Sequence, residues 1–283
     1  VYNLLRQALY LMLFILYVTI RLTLRLLLGK IKRDMMQGYL PMLKKLKSLV
    51  YVMKVCLPIF FTNPSLSIFS RKGVSLLCLT EDYPFINDMW KEIWELDSYE
   101  KFFKIKDSSI VIDVGAHIGI FSIKAAKEVG ENGLIIAIEP HPFTYALLKT
   151  NLKRNRCRNV TSIRMAASNF KGEAKLYLYH HSGGHSLVFR RSGNFVTVPV
   201  NTLDSIIRKL NLKQVNLIKI DVEGAGLLVL EGAKETLEKF TPNLSIAVYH
   251  AAAEREGIRD FLCARGYRFL ETDPSYVYAY PQS

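Results

Sequence analysis

From residue 110 onward, short apolar runs alternate with longer stretches in which apolar residues recur every three or four positions. The short runs, rich in Val and Ile, predict buried strands at Ile110–Val114, Leu134–Glu139, Val160–Ala166, Val215–Asp221 and Leu244–His250. The longer stretches predict helices at Ile118–Lys127, Pro142–Asn155, Thr202–Leu210, Leu227–Phe240 and Ala252–Gly266. This alternation indicates a Rossmann-like α/β fold, with a mostly parallel sheet and helices on both faces.

Shorter patterns surround this alternating region. Two antiparallel hairpins are predicted, Ser65–Phe69 with Val74–Thr80 and Tyr267–Leu270 with Ser275–Tyr280, and the second makes the final strand of the sheet antiparallel. A short helix at Asp88–Asp97 carries Trp90 and Trp94 on one face. Two strand-like pieces, Ala174–Tyr179 and Phe195–Val200, flank a glycine-rich loop. The first hairpin and the short helix should form a cap before the main sheet.

The first 64 residues follow a third pattern, in which long apolar runs meet basic residues. Ala8–Ile20 is apolar except for Thr19, yet it is shorter than the ~20 residues that span a bilayer. Leu40–Phe61 has apolar residues at helical spacing with lysines between them. Residues 1–54 hold ten Lys or Arg and one acid, so they carry +9 of the net charge of +13.

This combination predicts that residues 1–61 associate the chain with a membrane. Anionic lipid attracts basic residues beside an apolar segment, and the positive-inside rule would place the catalytic domain in the cytoplasm. A very apolar helix packed on the main domain is the alternative. We divide the chain into an apolar and basic helical extension (1–64), a hairpin and helix cap (65–109) and the main domain (110–283).

Cysteine and histidine spacings do not indicate a metal site. The four cysteines are too far apart to match a metal or redox motif, and we predict free thiols. His180, His181 and His185 share the glycine-rich loop but match no zinc spacing. We interpret this loop as a substrate contact in which His185 and Ser186 form hydrogen bonds.

The glycine turn after the first predicted main-sheet strand indicates a nucleotide site. Gly115 and Gly119 stand four residues apart with Asp113 before them, which differs from the G-x-G-x-x-G of dinucleotide sites. Glu139 ends the second strand, where a carboxylate can accept hydrogen bonds from ribose hydroxyls. The combination predicts S-adenosylmethionine, whose cationic sulfonium suits a pocket beside Asp113. The alternative is a strand that turns at glycine and binds nothing.

A second group of polar residues follows the predicted strand Val215–Asp221. Asp221 and Glu223 lie at its carboxyl end, where open α/β sheets bind ligands. We expect Asp221 to face the sulfonium or the acceptor, and Glu223 to contact the acceptor or hold the loop. Capping of the following helix is the alternative role for these acids. His250 ends the next strand and is a candidate base for an acceptor hydroxyl, so the catalytic candidates are Asp221, His250 and Glu223.

Taken together, these segments resemble the FkbM family of S-adenosylmethionine-dependent methyltransferases. The resemblance covers residues 75–275 and rests on Val111-Ile-Asp-Val-Gly-Ala-His-Ile-Gly, Ile138-Glu-Pro-His-Pro, Gly183-Gly-His-Ser, Thr202-Leu-Asp and Ile218-Lys-Ile-Asp-Val-Glu-Gly-Ala. It implies the class I methyltransferase sheet with a reversed final strand. The implied activity is O-methylation of hydroxyls on polyketides, sugars and related acceptors.

The resemblance also implies a set of site residues. The cofactor site comprises Asp113, Gly115, Ala116, His117, Gly119, Glu139, Pro140, Ala167 and Asp221. The sequence departs from the family at His117, where Asn is usual, at Gly226, where an acid is frequent, and at Asn169, where an acid is common. Backbone donors do most of the binding in the loop, so His117 is compatible with a cofactor, whereas Gly226 alters the acceptor contacts.

We therefore predict methylation of a hydroxyl on a sugar, glycolipid or other secondary-metabolite acceptor, with S-adenosylmethionine as cofactor and no metal. A nucleic-acid methyltransferase, which the net charge would suit, and a binding module without turnover are the alternatives. An amino-methylating nucleic-acid enzyme would carry a Pro-Pro-aromatic motif after the fourth strand, where this chain has Asp-Val-Glu-Gly. Intact Asp113, Glu139 and Asp221 argue against a decayed site.

Overall fold

The computed structural model describes residues 65–190, 193–249, 252–270 and 274–282. The predictions for residues 1–64, among them the membrane segment 1–61, lie outside these described residues, and so does His250. Within the described ranges, no helix combines the length and apolar character that crossing a bilayer requires. The described residues from Ser65 onward form one compact unit.

Strands and helices alternate along the described chain. The strands are β1 (Leu66–Arg71), β2 (Val74–Leu79), β3 (Ile110–Val114), β4 (Leu134–Ile138), β5 (Val160–Ile163), β6 (Ala166–Ala167), β7 (Gly172–Tyr177), β8 (Phe195–Asn201), β9 (Leu217–Ile220), β10 (Asn243–Ala247), β11 (Tyr267–Leu270) and β12 (Tyr276–Pro281). The helices are α1 (Tyr83–Trp90), α2 (Ile120–Glu128), α3 (Pro142–Arg154), α4 (Leu203–Lys209), α5 (Gly226–Glu231), α6 (Lys234–Phe240) and α7 (Ala252–Cys263). A π-helical turn, Lys91–Glu95, continues α1, and a 3₁₀ turn, Ser182–Gly184, lies between β7 and β8.

The main sheet runs in the order β11-β12-β10-β9-β3-β4-β5. Neighbours from β10 to β5 are parallel, whereas β12 is antiparallel to both β10 and β11. This arrangement confirms the predicted Rossmann-like α/β fold with a reversed final strand. Because β3 lies between β9 and β4, the glycine turn after β3 is flanked by the carboxyl ends of both neighbours.

Helices cover both faces of the main sheet, because successive residues of its central strands are apolar. Val111 and Ile135 pack with the buried sides of α2 and α3, whereas Ile112 and Ile136 pack on the opposite face with α4 to α7. Strands that are apolar on both faces are typical of parallel sheets between two helical layers. The hairpin β1–β2 and helix α1 join the first face, as the predicted cap.

Two predicted elements are interrupted, and both breaks have a tertiary cause. The predicted helix Leu227–Phe240 is two helices, α5 and α6, and a Cβ placed on Gly232 between them would lie 2.0 Å from the carbonyl oxygen of Ser168. The predicted strand Val160–Ala166 leaves the main sheet after Ile163, because Ala166 and the next residue pair with β8 in a separate sheet with β7.

Among the boundaries that differ from the prediction, two bear on the site. The helix expected at Asp88–Asp97 begins at Tyr83, with a proline in its first turn, and ends in the π-helical turn. Its two tryptophans share a face as expected, since the rings of Trp90 and Trp94 stack with centroids 4.5 Å apart. Strand β10 stops at Ala247 rather than at residue 250, so the predicted strand-end position of the candidate base is wrong.

Candidate active site

A cavity opens at the carboxyl ends of β3, β4 and β9. Eight of the sequence-predicted site residues line it: Gly115, His117, Glu139, Pro140, Ala167, His185, Asp221 and Glu223. Strands β4 and β9 are separated by β3, so Glu139 and Asp221 lie two strand spacings, ~10 Å, apart along this edge. The cavity therefore has one end near Glu139 and another near Asp221.

The loop after β3 needs glycine for two different reasons. Gly115 has φ +79°, and a Cβ there would lie 1.8 Å from the carbonyl oxygen of Asp221. The loop and the residue after β9 can therefore lie this close to each other only because residue 115 is glycine. Gly119 has φ +96° and precedes α2, where a Cβ would lie 2.7 Å from the Leu148 side chain. Gly119 and Ala116 do not line the cavity among the described residues, so they shape the loop rather than face a ligand.

Asp113 lies beneath this loop and is fully buried. We expected its carboxylate to contact the cofactor, but it accepts a hydrogen bond from Ser122 Oγ at 2.5 Å and pairs with Lys219 Nζ at 3.0 Å. Lys219 Nζ also donates to the carbonyl oxygen of Gly115 at 2.8 Å. Asp113 thus binds Lys219, which in turn binds the loop at Gly115. The contacts of the Asp113 carboxylate are to these protein groups, and it does not line the cavity.

Lys219 was not among the predicted site residues. Burial alone would lower its pKa, but the carboxylates of Asp113 and Asp221 outweigh burial and raise the pKa above its ordinary value. A lysine inside an otherwise apolar strand, two residues before Asp221, was the available sequence signal. The ammonium group therefore stays charged in the floor of the site.

Glu139 occupies the other end of the cavity, directly after β4. Its carboxylate accepts hydrogen bonds from the backbone N–H of His117 at 3.0 Å and of His141 at 2.8 Å. Burial raises its pKa to about 7, although both N–H groups act to lower it. Each carboxylate oxygen can accept a further hydrogen bond, which fits two vicinal ribose hydroxyls.

The loop after β7 covers the cavity next to Glu139. His117 has φ +52°, and its Nε2 lies 2.6 Å from the hydroxyl of Ser182 in the 3₁₀ turn. His185 Nδ1 accepts from the backbone N–H of Tyr179 at 3.1 Å. Burial lowers the pKa of His117 to about 3 and that of His185 to about 4, so both rings are neutral near pH 7.

Ser186 differs from the prediction that it binds substrate. It is buried, its hydroxyl donates to the carbonyl oxygen of Glu223 at 2.6 Å, and it accepts from the backbone N–H groups of Val188 and Phe189. The serine therefore joins the covering loop to the turn after β9 and does not line the cavity. Within the described residues, no three His, Cys, Asp or Glu side chains are arranged to hold a metal ion.

Carboxylates and phenols form the end of the cavity near β9. Asp221 accepts from Tyr99 Oη at 2.9 Å and from Tyr249 Oη at 3.2 Å, and Glu92 accepts from Tyr276 Oη. Glu92, Asp221 and Tyr249 line the cavity itself. We call these five residues the acid–phenol wall.

Sequence reasoning identified only Asp221 in this wall. Glu92 lies in the cap, Tyr99 follows it, and Tyr276 lies in the reversed strand β12. None of these three belongs to a local motif, because only the fold brings them together. The sequence contains only a weak indication of Tyr249, because this residue directly precedes the candidate base His250.

Curated relatives of this chain are methyltransferases. It is 22% identical over 192 residues to Methyltransferase 1 of Beauveria bassiana, covering 60% of this chain and 77% of that protein. It is 25% identical over 211 residues to Methyltransferase sdnD of Sordaria araneosa, covering 63% of this chain and 81% of that protein. These alignments cover the greater part of both relatives.

A solved structure supports the fold. The crystal structure of Methyltransferase FkbM from Methylobacillus flagellatus KT is similar to this chain with a TM-score of 0.50 and 18% identity. The similarity covers 83% of this chain and 54% of that chain, so this chain spans little more than half of the length of that protein.

The family assignment comes from a direct match over the main domain. The family described as "Methyltransferase FkbM domain" matches residues 113–269, which is more than half of the chain. S-adenosylmethionine is the cofactor, and the carboxylate of Glu139 with the close-packed turn at Gly115 fits it. From the glycine turn to strand β11, the chain belongs to the FkbM family of methyltransferases.

Proposed function

We propose that this methyltransferase transfers the methyl group to a hydroxyl oxygen on a sugar, a glycolipid or another secondary-metabolite acceptor. The acid–phenol wall is the observation that carries the proposal. Its carboxylates accept hydrogen bonds from hydroxyl groups, and no lysine or arginine lines the cavity among the described residues. Such a lining suits a neutral, hydroxylated acceptor better than a phosphate or a carboxylate.

Hydroxyl methylation asks the protein mainly to position an oxygen and to remove its proton. When bound, the cofactor supplies an electrophilic methyl group. Asp221 is held by two phenols, so its carboxylate is preorganised to accept a hydrogen bond from the acceptor and to orient the oxygen. Glu223 and His185 line the same cavity and are proposed acceptor contacts. His250, the base predicted from the sequence, lies outside the described residues, and its role stays a prediction.

Transfer of a labelled methyl group tests this proposal. The purified full chain is incubated with labelled S-adenosylmethionine and a panel of alkyl and aryl glycosides, matched deoxyglycosides, amines and an oligonucleotide. We expect label on hydroxylated glycosides. Asp221→Asn should lower kcat/KM by about 100-fold, the effect of losing a group that orients or deprotonates the acceptor. The exposed control Asp260→Asn should not.

A different pattern of labelling would contradict the proposal. Label on amines or on the oligonucleotide, with none on hydroxylated glycosides, would exclude hydroxyl acceptors of this class. Equal labelling of a glycoside and its deoxy partner would show that the removed hydroxyl is not the acceptor.

We also propose that residues 1–61 associate the chain with the cytoplasmic face of a membrane. The support is the charge of +9 over residues 1–54 beside long apolar runs. A chain held at a membrane would share that surface with glycolipid acceptors.

A further inference from the structure

Glu92 is an acidic residue of the cavity that lies before the family-matched residues 113–269. It belongs to the π-helical turn that continues α1, and its side chain lines the cavity together with Asp221 and Tyr249. π-helical turns are uncommon in proteins, and those that occur are frequently found at functional sites. Here it places a carboxylate from the cap at the end of the cavity where the acceptor is proposed to bind.

The two carboxylates of the wall differ in how their charge is stabilised. Asp221 accepts hydrogen bonds from two phenols and lies 4.0 Å from the ammonium group of Lys219. Glu92 accepts from Tyr276 on β12 and also faces Tyr99, Asp221 and Lys219. Burial raises the pKa of Glu92, and the hydrogen bond from Tyr276 lowers it by less. Burial therefore makes Glu92 gain a proton more readily than an exposed glutamate does.

We propose that Glu92 is the base that receives the proton of the acceptor hydroxyl during methyl transfer. The inference rests on the proposed O-methylation. The acceptor oxygen forms a bond to the methyl carbon while the sulfur–carbon bond breaks, and the electron pair of the broken bond stays on sulfur. The proton of the hydroxyl moves to a carboxylate oxygen of Glu92. Charge and atoms balance without any further reactant.

Charge inside the cavity explains why the proton goes to Glu92. When bound, S-adenosylmethionine would bring a positively charged sulfonium into the cavity that Glu92 and Asp221 line. After transfer the sulfur is neutral, so the cavity has lost one positive charge. Loss of a nearby positive charge favours protonation of a carboxylate, and burial already raises the pKa of Glu92. Methyl transfer and proton uptake by Glu92 therefore favour each other.

This coupling can be measured without an acceptor, by calorimetry. S-adenosylmethionine and S-adenosylhomocysteine are titrated into the full chain in phosphate and in Tris between about pH 6 and 8, where the heats report protons bound or released. We expect the S-adenosylhomocysteine complex to hold more protons than the S-adenosylmethionine complex. Glu92→Gln, which keeps the size of the side chain, should abolish that difference.

The matched control is Glu95→Gln, in the same turn. Glu95 pairs with Arg71 at 3.1 Å and does not line the cavity, so its substitution should leave the proton difference intact. The proposal is overturned if the unaltered protein shows no difference in bound protons. It is also overturned if the difference survives in Glu92→Gln, since the proton would then reside on another group.

Kinetics with a glycoside that accepts the label supply the second test. Glu92→Gln should lower the single-turnover rate at least 100-fold while S-adenosylmethionine affinity stays within about threefold. Tyr276→Phe removes a hydrogen bond that lowers the pKa of Glu92, so the acidic limb of the pH–rate profile should move to higher pH. A merely structural role for Glu92 would not move that limb.

The two proposals can fail separately. If Glu92→Gln weakens cofactor binding and leaves the single-turnover rate unchanged, Glu92 is a cofactor ligand and the base assignment is wrong. If the label goes to amines while the proton difference still depends on Glu92, hydroxyl acceptors are excluded and the proton uptake stands.

Discussion

At the scale of single residues, two opposing effects act on the pKa of Glu139. Two backbone N–H groups hold its carboxylate, yet burial raises its pKa to about 7. A carboxyl with a raised pKa binds more protons in the folded than in the unfolded state. Between its ordinary value of 4.5 and about 7, the free energy of unfolding therefore falls as pH rises. An ionised carboxylate accepts hydrogen bonds more strongly than a neutral one, so this destabilisation near neutral pH accompanies the proposed binding of the ribose.

Replacing Glu139 should separate these effects. At pH 8, Glu139→Gln is expected to weaken S-adenosylmethionine binding by about 1.5–3 kcal/mol, because hydrogen bonds to a charged group are lost. In the unaltered protein the affinity should fall as pH drops below about 7, and this dependence should be absent from the variant. Calorimetric titration at several pH values measures both effects.

The conformational stability of Glu139→Gln should change in the opposite direction from its affinity for S-adenosylmethionine. The free energy of unfolding of Glu139→Gln, measured relative to that of the unaltered protein, should increase as the pH rises from 5 to 8. Urea denaturation measures this difference. The exposed Glu131→Gln is the control. Equal affinity in the two proteins at pH 8 would remove Glu139 from the cofactor site.

Residue roles were predictable where they belong to a local motif. Gly115, Glu139 and Asp221 were identified from strand ends and a glycine turn, and all three line the cavity. Asp113 has a different role from the predicted one, because only the fold shows a buried lysine beneath the loop. The pair formed by Glu92 and Tyr276 is separated by 184 positions, so no spacing in the sequence indicates it.

At the scale of elements, the cap is joined to the main domain by a buried amide. Asn151 of α3 accepts from the backbone N–H of Leu77 at 2.6 Å and donates to the carbonyl oxygens of Leu77 and Ile118, each at 3.0 Å. One side chain thus connects β2, α3 and the loop that follows β3. Because Glu92 comes from the same cap, the position of the cap matters for the acid–phenol wall.

Removing this amide should loosen the cap. Asn151→Ala leaves the part-buried N–H and carbonyl groups of Leu77 and the buried carbonyl group of Ile118 without this partner, and it is expected to lower the free energy of unfolding by about 3 kcal/mol. Urea denaturation measures the loss. Thr150→Ala is the control on the same helix, since its exposed hydroxyl donates only to the carbonyl oxygen of Ala146. A change below about 1 kcal/mol in Asn151→Ala would contradict this role.

Element type and order followed from periodicity more reliably than element ends did. The alternation of strands and helices was confirmed because apolar runs and helical spacing are local properties of the chain. The break between α5 and α6 could not be predicted, since helical spacing continues through it. Its cause is the approach of the Ser168 carbonyl to Gly232, which is a contact between distant segments.

At the scale of the whole molecule, charge is concentrated at one end of the chain. Residues 1–54 carry +9, while the remaining residues carry +4. We expect the full chain to bind vesicles of phosphatidylcholine with phosphatidylglycerol, and to release them as salt screens the attraction. Vesicle sedimentation of the full chain and of residues 62–283 measures the difference.

The shortened chain should remain folded and unbound, because the core described from Ser65 onward is complete in itself. Circular dichroism checks its folding. If residues 62–283 bind vesicles as tightly as the full chain, the basic extension is not the attachment. If they fail to fold, the extension is part of the core and the alternative of a packed apolar helix is favoured.

The position of β12 inside the main sheet has a consequence for how the protein is made. This strand is synthesised after every other strand described here, yet it pairs with β10 on one side and β11 on the other. A chain still attached to the ribosome can form β3, β4 and β9 early, but it cannot close the sheet or deliver Tyr276 to Glu92 until residue 281 has emerged. The loop after β3 can therefore form before the acid–phenol wall is complete, and a translation product that stops before β12 would lack Tyr276 and the hydrogen bond that it donates to Glu92.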